Sequence, residues 1–593
     1  MKKYLVFSIS FFVFCLGSVT KARCQNWEWM KGATNGESCG LRVTTDKQGN
    51  VYNAGYCWGD GNIGTYTFSN GTGLAFMPFT KYDADGNLQW MIMAGHCSPV
   101  GLVTDNFGNE YLFCVYTDSV ITFGDHSLAN PYKDYPPLYV GGSYVEDSIS
   151  YFLAKINTDG QVLWMKNVGK INSSYSVWFT GNSCLTTDVC GDLYVTGIFI
   201  NQASIGDSIF TSADTGSTPQ GDIFIAKLDS SGSVSWANKF GSADEDWPNG
   251  LAIAPSGNLY VAGEFQSSQL QIGNTVLADS FVSSHFWSMF LAKFDDAGNP
   301  IWAKTNKGDV DCESYAVAVD SMENVYMSGI YDNEIYPAKS PSFDSITLPP
   351  IYSSEYAYLL KYDSAGNAIW GKSWQGESIF TTNLTIDPCG NIWMMGTNNV
   401  GASMAITDTV DNHVINIPMP NYNPGILAAW NSNGDFINST VLPASAWADR
   451  GYGIASDLNG NIYVTSLDEM DTFIIAMDSL YNTMSGLSYN EYIAKYSPGL
   501  GCVADTLSKC SALTVNNINV TSAIDLYPNP ATNEINVTSS DPITSVSINN
   551  IFGQRMYNCI CSTTKLKINI SKFPTGVYFV CINGVEVRKI IKQ

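Results

Sequence analysis

One phrase recurs seven times along this chain and restricts its fold more than any other feature. It reads Asp-x-x-Gly-Asn-x-Tyr-x-x-Gly and is complete at Asp46, Gly49, Asn50, Tyr52 and Gly55. Its aromatic returns at Tyr111, Tyr194, Tyr260, Tyr326, Trp393 and Tyr463, in steps of 59, 83, 66, 66, 67 and 70 residues. A second phrase follows within the interval: aromatic-Leu-Ala-Lys-aromatic-Asp-x-x-Gly-x-x-x-Trp, as in Phe224 to Trp236 and Phe290 to Trp302. Self-similarity of this kind means one supersecondary unit built repeatedly, each copy burying its apolar face against the next.

Both phrases describe hairpins. Leu259 and Val261 alternate with Tyr260 and Ala262 as on a strand, whose successive side chains point to opposite faces. Asp-x-x-Gly is turn chemistry, since Asp bonds the backbone ahead of it and Gly accepts positive φ. Each repeat then supplies four strands, expected in the fourth copy near 250–254, 258–265, 289–294 and 299–305. A longer connection between the second and third carries turns such as Phe123-Gly124-Asp125, Ile205-Gly206-Asp207 and Ile272-Gly273-Asn274. It reads as an extra hairpin on the outer part of each unit. Four-stranded units at this spacing suit a β-propeller.

The count is seven, with an irregular end. The second phrase places lysines at 81, 155, 227, 293, 361 and 495, with Ala429 at the sixth position. Tryptophans close it at 90, 164, 236, 302 and 370, with Asn438 in the sixth place. The last copy stops at Lys495-Tyr496-Ser497 without a Trp strand, whereas Trp27-Glu28-Trp29-Met30-Lys31 is a Trp strand with no repeat before it. Residues 27–31 are therefore expected to complete the last blade and clasp the ring, with blade six the weakest. An aromatic demanded once per blade is expected to pack the blade interface rather than stack a sugar. These phrases resemble the seven-bladed propeller repeats (SBBP type) of bacterial secreted proteins, over residues 26–497. The resemblance implies the fold and leaves the function open.

The first 24 residues read as a signal peptide: Lys2 and Lys3, an apolar run from Leu5 to Leu16, then Ala22-Arg23-Cys24 before Gln25. No transmembrane segment is expected, because no later stretch approaches the ~20 apolar residues that crossing a bilayer needs. The whole chain has a net charge of −24 although residues 1–24 and 521–593 are both net basic. So acidic a middle repels phosphate backbones, which argues against nucleic acid as a partner. Of fifteen cysteines, Cys15 and Cys24 leave with the signal peptide, so an odd number remains; Cys502 and Cys510 are the favoured local pair.

Residues 501–522 have linker composition, and a new unit opens at 523. Alternating runs at Glu534–Thr538, Ser545–Asn549, Leu566–Ile570, Val577–Ile582 and Glu586–Ile591 suggest a small Ig-like β-sandwich. The expected order is thus a signal peptide (1–24), a seven-bladed propeller (25–500), a linker and a terminal domain (523–593), all-β throughout. Three motifs stand in the last unit: Tyr527-Pro528-Asn529-Pro530, a turn containing Gly553, and Pro574-Thr575-Gly576-Val577-Tyr578, followed by a basic strand with Lys589. Together they resemble the type A C-terminal sorting domain of type IX secretion in Bacteroidetes-like bacteria. That resemblance implies outer-membrane secretion machinery as a partner and a secreted or cell-surface destination. Cys559, Cys561 and Cys581 are not in the family's usual pattern.

Chemistry is sparse in the ring. The four histidines (96, 126, 285 and 413) form no His-x-x-x-His pair, and no Gly-x-Ser-x-Gly elbow or phosphate-cradling loop exists. No catalytic set, cofactor or metal site is expected. Asp83-Ala84-Asp85-Gly86-Asn87 lacks the Glu of a calcium loop and reads as a hairpin turn. Loops ahead of the first strands carry acids, Glu37, Asp246, Glu313 and Asp449, near His96, Trp247 and Trp447. Variable loops on one rim are where ligands bind. The expectation is a non-catalytic binding or adhesion protein for an extracellular glycan or protein; a polysaccharide- or protein-degrading enzyme with its site on this rim is the alternative.

Overall fold

The Asp-x-x-Gly-Asn turn acts as a clamp built around one carboxylate. Asp46 Oδ1 accepts from the backbone N–H of Gln48 and Asn50 at 2.9 Å, while Oδ2 accepts from the Asn50 amide and the Tyr52 hydroxyl. The turn, the second strand and the motif aromatic are thereby tied together. Tyr111, Tyr326 and Tyr463 repeat the contact on Asp105, Asp320 and Asp457, and Trp393 Nε1 replaces the hydroxyl on Asp387.

The computed structural model describes residues 26–498 and 524–593, except 35–36, 70–75, 132–137, 141–142, 146–149, 172–183, 214–219, 279–285, 333–338, 352–354, 376–379, 398–402, 409–413, 419–424, 443–450, 469–471, 476–477, 482–489, 551–554 and 584–585. Every regular element among them is a strand. Seven antiparallel four-stranded blades span 37–94, 97–167, 185–240, 246–305, 311–375, 380–441 and, for the seventh, 451–497 with Asn26–Thr34. Blade four runs Asp246–Ile253, Leu259–Phe265, Ser288–Phe294 and Pro300–Thr305, so its first strand begins earlier than expected. First strands face the axis, where Arg42, Leu102, Val317, Asn383 and Ile454 help line a cavity of about 300 Å³.

Blades are joined by one contact used again and again. Lys81 and Trp90 Nε1 of blade one both donate to the carbonyl of Thr158 in blade two, at 2.9 and 3.1 Å. Lys293 with Trp302 and Lys361 with Trp370 do the same to Ser364 and Ser432. The turn glycine rests on the indole: at Gly160, with φ of 83°, a Cβ would lie 2.9 Å from the Trp90 ring. The repeated tryptophans therefore pack interfaces, and their fixed spacing reflects that role.

Ring closure uses the same contact with its parts drawn from both ends of the chain. Asn26–Thr34 pairs antiparallel with Asn490–Ser497, matching Met30 to Ala494 and Gly32 to Tyr492. Lys495 and Trp29 Nε1 both donate to the carbonyl of Ala84 in blade one, each at 3.1 Å. No hairpin links these two strands, so blade seven has no turn to receive donors from blade six. Ala429 and Asn438 stand where Lys and Trp stand elsewhere, and the Asn438 amide donates to the Tyr496 hydroxyl instead. The degeneracy of blade six follows from where the ring is cut.

The extra hairpins do not extend their own blades. Val120–Phe123 and His126–Ala129, from within blade two, add to the outer strand of blade one through Phe123 and Ala94. The hairpin of blade one adds to Asn26–Thr34 of blade seven, and that of blade six to Ala368–Gln375 of blade five. Bridges between Gly241 and Gln271 and between Lys307 and Ser342 place two more in the same way. Each covers part of a neighbour's outer edge, which would otherwise offer unpaired backbone groups.

Blade four breaks the clamp, because Ala254 occupies the Asp position and the buried Tyr260 hydroxyl has no hydrogen-bond partner. Tyr260→Phe is expected to leave stability unchanged or raise it, whereas Tyr326→Phe, which strips a hydrogen bond from Asp320, should cost about 1 kcal/mol. Denaturant unfolding of the two variants checks the sign; an equal loss in both would refute the unsatisfied hydroxyl.

The terminal residues form one five-stranded sheet around a separate apolar core that includes Ile535, Val546, Ile548, Val580 and Ile590. Two long strands, Glu534–Asn550 and Arg555–Asn569, curl it nearly into a barrel. Cys190 of blade three and Cys581 of this sheet form a disulfide. The signal peptide and the Cys502–Cys510 pair lie outside the described residues.

Candidate functional site

Where seven copies obey one rule, the informative residue is the one that breaks it. The position four after the motif aromatic reads Tyr56, Val115, Ile198, Glu264, Ile330, Thr397 and Leu467. Glu264 is the only charged member, and it is 5% exposed. It sits near the end of Leu259–Phe265, directly across from Trp247 on Asp246–Ile253 and from Met289 on the third strand. Opposed residues of paired strands project to the same face. Trp247 and Glu264 are thus neighbours, and the Trp287 ring lies 5.9 Å from that of Trp247 at 71°.

Blade five brings a second carboxyl. Ser314 Oγ donates to the carbonyl of Gly263 at 2.7 Å, and the Asn249 amide donates to the carbonyl of Ser314 at 2.9 Å. These bonds tie the first strand of blade five to blade four beside Glu264, close enough for the charge of Glu313, next to Ser314, to act on it. A Cβ on Gly263 would fall 2.1 Å from the Trp247 carbonyl, so only glycine lets the first two strands of blade four lie this close here. A β-bulge between Ser314 and Ala316 turns out Tyr315, whose hydroxyl donates to Glu313 Oε2. Bulges re-aim side chains in this way.

The electrostatics follow from burial without a counter-charge. Burial first, and then the charge of Glu313, pushes the Glu264 carboxyl well above the ordinary range. Burial likewise raises Glu313, against the opposing effect of the Tyr315 hydrogen bond. An Asn249 hydrogen bond opposes the rise in Glu264, whose Oε2 is buried without a partner, and neither carboxyl pairs with a cationic side chain among the described residues. Glu110, just before the motif aromatic of blade two, is likewise buried with one oxygen, Oε1, unpartnered; its Oε2 accepts from Thr104 at 2.9 Å, and unlike Glu264 it feels an ammonium, that of Lys81. Among the described residues no group of three or more His, Cys, Asp or Glu is arranged to hold a metal ion.

The raised carboxyls set a pH dependence. The folded state holds protons that the unfolded chain releases near pH ~4.3, so stability from these groups is present below that value and declines as pH rises through the folded pKa. Glu264→Gln should therefore melt at least ~2 °C above the parent at pH 8 and level with it at pH 4. Thermal melts across pH test this; a gain that is the same at both pH values would contradict it.

The rim acids named from sequence do not converge. Glu313 belongs to this cluster. Asp246, one residue from Trp247, points to the opposite face and is fully buried, accepting from Ser242 N at 2.5 Å and Ser242 Oγ at 2.8 Å. It fastens the loop entering blade four and is not available to a ligand on the Trp247 face. His96 lies 3.6 Å from Asp118, away from this cluster. Glu37 begins the first strand of blade one, but its side chain, with Asp449 and Trp447, lies outside the described residues.

In the terminal sheet the motif residues stitch the first segment to the last strand. The Asn529 amide donates to the Lys589 carbonyl at 2.8 Å, and its oxygen accepts from Ile591 N at 2.9 Å. Pro528 and Pro530 flank Asn529 at the surface, beside the half-exposed Tyr527. The Tyr578 hydroxyl donates to the Pro574 carbonyl at 2.7 Å, closing the turn before Gly576, and Gly576 pairs with Lys592. Gly553 is outside the described residues.

Residues 525–593 match the family described as the secretion system C-terminal sorting domain. An uncharacterised WD repeat-containing protein of Acanthamoeba polyphaga mimivirus is 24% identical over 366 residues, covering 54% of this chain. The chain spans about a quarter of that relative, 26% of its length. Among solved structures, a protein of unknown function from Dyadobacter fermentans aligns over 79% of this chain and 98% of its own, at 8% identity and a TM-score of 0.33. An ulvan lyase of a new polysaccharide lyase family aligns over 74% and 92%, at 10% identity and a TM-score of 0.37. Likeness this low speaks to neither ligand nor reaction. The chain is a seven-bladed β-propeller followed by a type IX secretion sorting domain, and it is secreted or held at the outer-membrane surface.

Proposed function

We propose that this protein is a non-catalytic binding or adhesion propeller of the bacterial cell surface, its ligand seated on the rim of blades four and five. The observation that carries the reading is the Trp247–Trp287 pair set directly across from Glu264, in the one blade where that row is charged. A buried, unmatched carboxyl is costly to a fold, and proteins keep such groups at functional sites. In this reading residues 1–24 are a signal peptide, 25–500 the propeller of SBBP type, 501–522 a linker and 523–593 the sorting domain, in a Bacteroidetes-like host.

Two rim carboxyls of raised proton affinity, Glu264 and Glu313, also favour a second reading, a secreted hydrolase or lyase acting on polysaccharide or protein. The full chain, screened on glycan and peptide arrays and on chromogenic polysaccharides, separates the two. Binding without turnover, weakened about tenfold or more by Trp247→Ala, supports the binding module. Turnover abolished by Glu313→Gln would establish the enzyme instead.

A further inference from the structure

We infer that the sorting sheet docks on the turn face of blades two and three and is fastened there by the Cys190–Cys581 disulfide, so that a cut in the linker does not free it. Release then needs a thiol reductant as well as a protease. Three observations on this contact agree.

The first is a turn that departs from the rule of its ring. The turns between first and second strands lie on one face of the propeller, and the residue before their glycine is exposed at Gln48, Phe107, Ser256 and Asn459. In blade three that residue is Cys190, and it is only 9% exposed. Its turn has the ordinary form, with Gly191 N donating to the Asp188 carbonyl and Cys190 N to the Asp188 carboxylate, so the cover comes from outside the blade. The second observation lies on the sheet. Tyr578, Val580 and Ile582 of Gly576–Ile582 enter the apolar core, so Phe579 and Cys581 project from the other face. Asn549 and Ser547 stand directly across from them, on that same outer face. Cys581, Ser547 and Asn549 are nonetheless 5%, 9% and 5% exposed, where side chains on an uncovered sheet face would meet water. The third is a second contact beside the bond: the Phe107 ring of blade two lies 5.5 Å from that of Phe579. Two residues of one strand face thus meet the turns of two neighbouring blades. The sheet also belongs to a net-basic end of the chain and covers part of an acidic ring, a complementary pairing.

The disulfide joins positions 391 residues apart. One aromatic contact is far too weak to hold two separate chains, so after a cut the covalent bond decides whether the sheet stays. Its formation passes two electrons and two protons from the Cys190 and Cys581 thiols to a disulfide-bearing oxidant outside the cytoplasm. A dithiol reverses it. One thiolate attacks a sulfur of the bond, the other cysteine leaves and takes up a proton, and the second thiol closes the reductant's own disulfide as the attacked cysteine is freed.

The test uses the full chain with a viral cysteine protease site inserted after Val515, exported to the periplasm, purified and cut. Beyond that point the chain holds only Cys559, Cys561 and Cys581, and the first two form no disulfide, so a covalent link to the ring must run through Cys581. On a denaturing gel without reductant the terminal fragment should run joined to the ring; with dithiothreitol it should run alone. On native size exclusion the cut protein should elute as one species, and cut Cys190→Ser as two. Blade four carries Ser256 at the equivalent place, so the turn accepts serine. Cys581→Ser repeats the measurement from the other side, should the first variant be unstable. Phe107→Ala should keep the link but let dithiothreitol release the sheet several-fold faster, because it opens the packing beside the sulfurs. Separate bands without reductant overturn the tether. Coelution of the cut Cys190→Ser fragments would show that packing alone holds the sheet, and would overturn the redox dependence of release. An unchanged release rate in Phe107→Ala removes blade two from the docking face.

Discussion

Removal of residues 26–34 unfolds the whole ring instead of fraying one blade. This strand brings Trp29, at 4% exposure, and the buried Met30 and Ala33 into blade seven. The Trp29 ring lies between Tyr82 of blade one and Tyr463 of blade seven, at 6.2 and 5.9 Å. Its Nε1 shares the Ala84 carbonyl with Lys495, and the Lys495 ammonium is 2.8 Å from Glu28. Trp29→Ala alone should cost about 3–5 kcal/mol, as for other large-to-small changes at buried tryptophans. Deleting the strand exposes two sheet edges as well and should exceed that. Asn438→Ala, at the interface that never had the Lys–Trp contact, should cost no more than ~1.5 kcal/mol. Unfolding curves of the three variants are the measurement. A midpoint for the deletion within ~1 °C of the parent would show that the closing strand holds nothing together.

The second large effect is on destination. A chain ending at Ser522 keeps every strand of the ring but loses the sorting sheet, and it should be found in the periplasm with none at the surface. Asn529→Ala is the finer test. It removes both bonds that fix the last strand to the Tyr-Pro-Asn-Pro segment, each worth about 1 kcal/mol, while leaving the apolar core intact. Partial retention in the periplasm is expected, read by protease accessibility on intact cells. Normal surface delivery of the chain ending at Ser522 would overturn the role of residues 525–593.

Compensation between blades shows why single repeats mislead. Blade four lacks the clamp carboxylate at Ala254, and blade five carries Glu323 where the turn glycine belongs, at φ of 63°. That Glu323 sits 3.4 Å from the Lys293 ammonium of blade four. A missing charge in one copy is thus met by a strained residue in the next. The same pair of blades carries the candidate site.

The architecture was legible in the sequence because each of its rules is stated several times. Turn carboxylates, interface tryptophans and the number of blades follow from spacing, and the unmatched strand at Trp29 follows from counting. Glu264 was legible as well, but only by aligning the row Tyr56, Val115, Ile198, Glu264, Ile330, Thr397 and Leu467 and asking which member breaks it. Three things were settled only by tertiary structure. Asp246 and Trp247 are adjacent in the chain and go to opposite faces, because the strand starts early enough for its two-residue alternation to separate them. Ser314, next to Glu313, bonds the Gly263 carbonyl beside Glu264 across a blade boundary, where proximity depends on ring geometry and has no periodic signature in the chain. The outer hairpins of blades one, two and six bond to the preceding blade, where they cover an outer edge that would otherwise stay open. Periodicity encodes what every blade does alike; the one place where two blades differ together had to be seen folded.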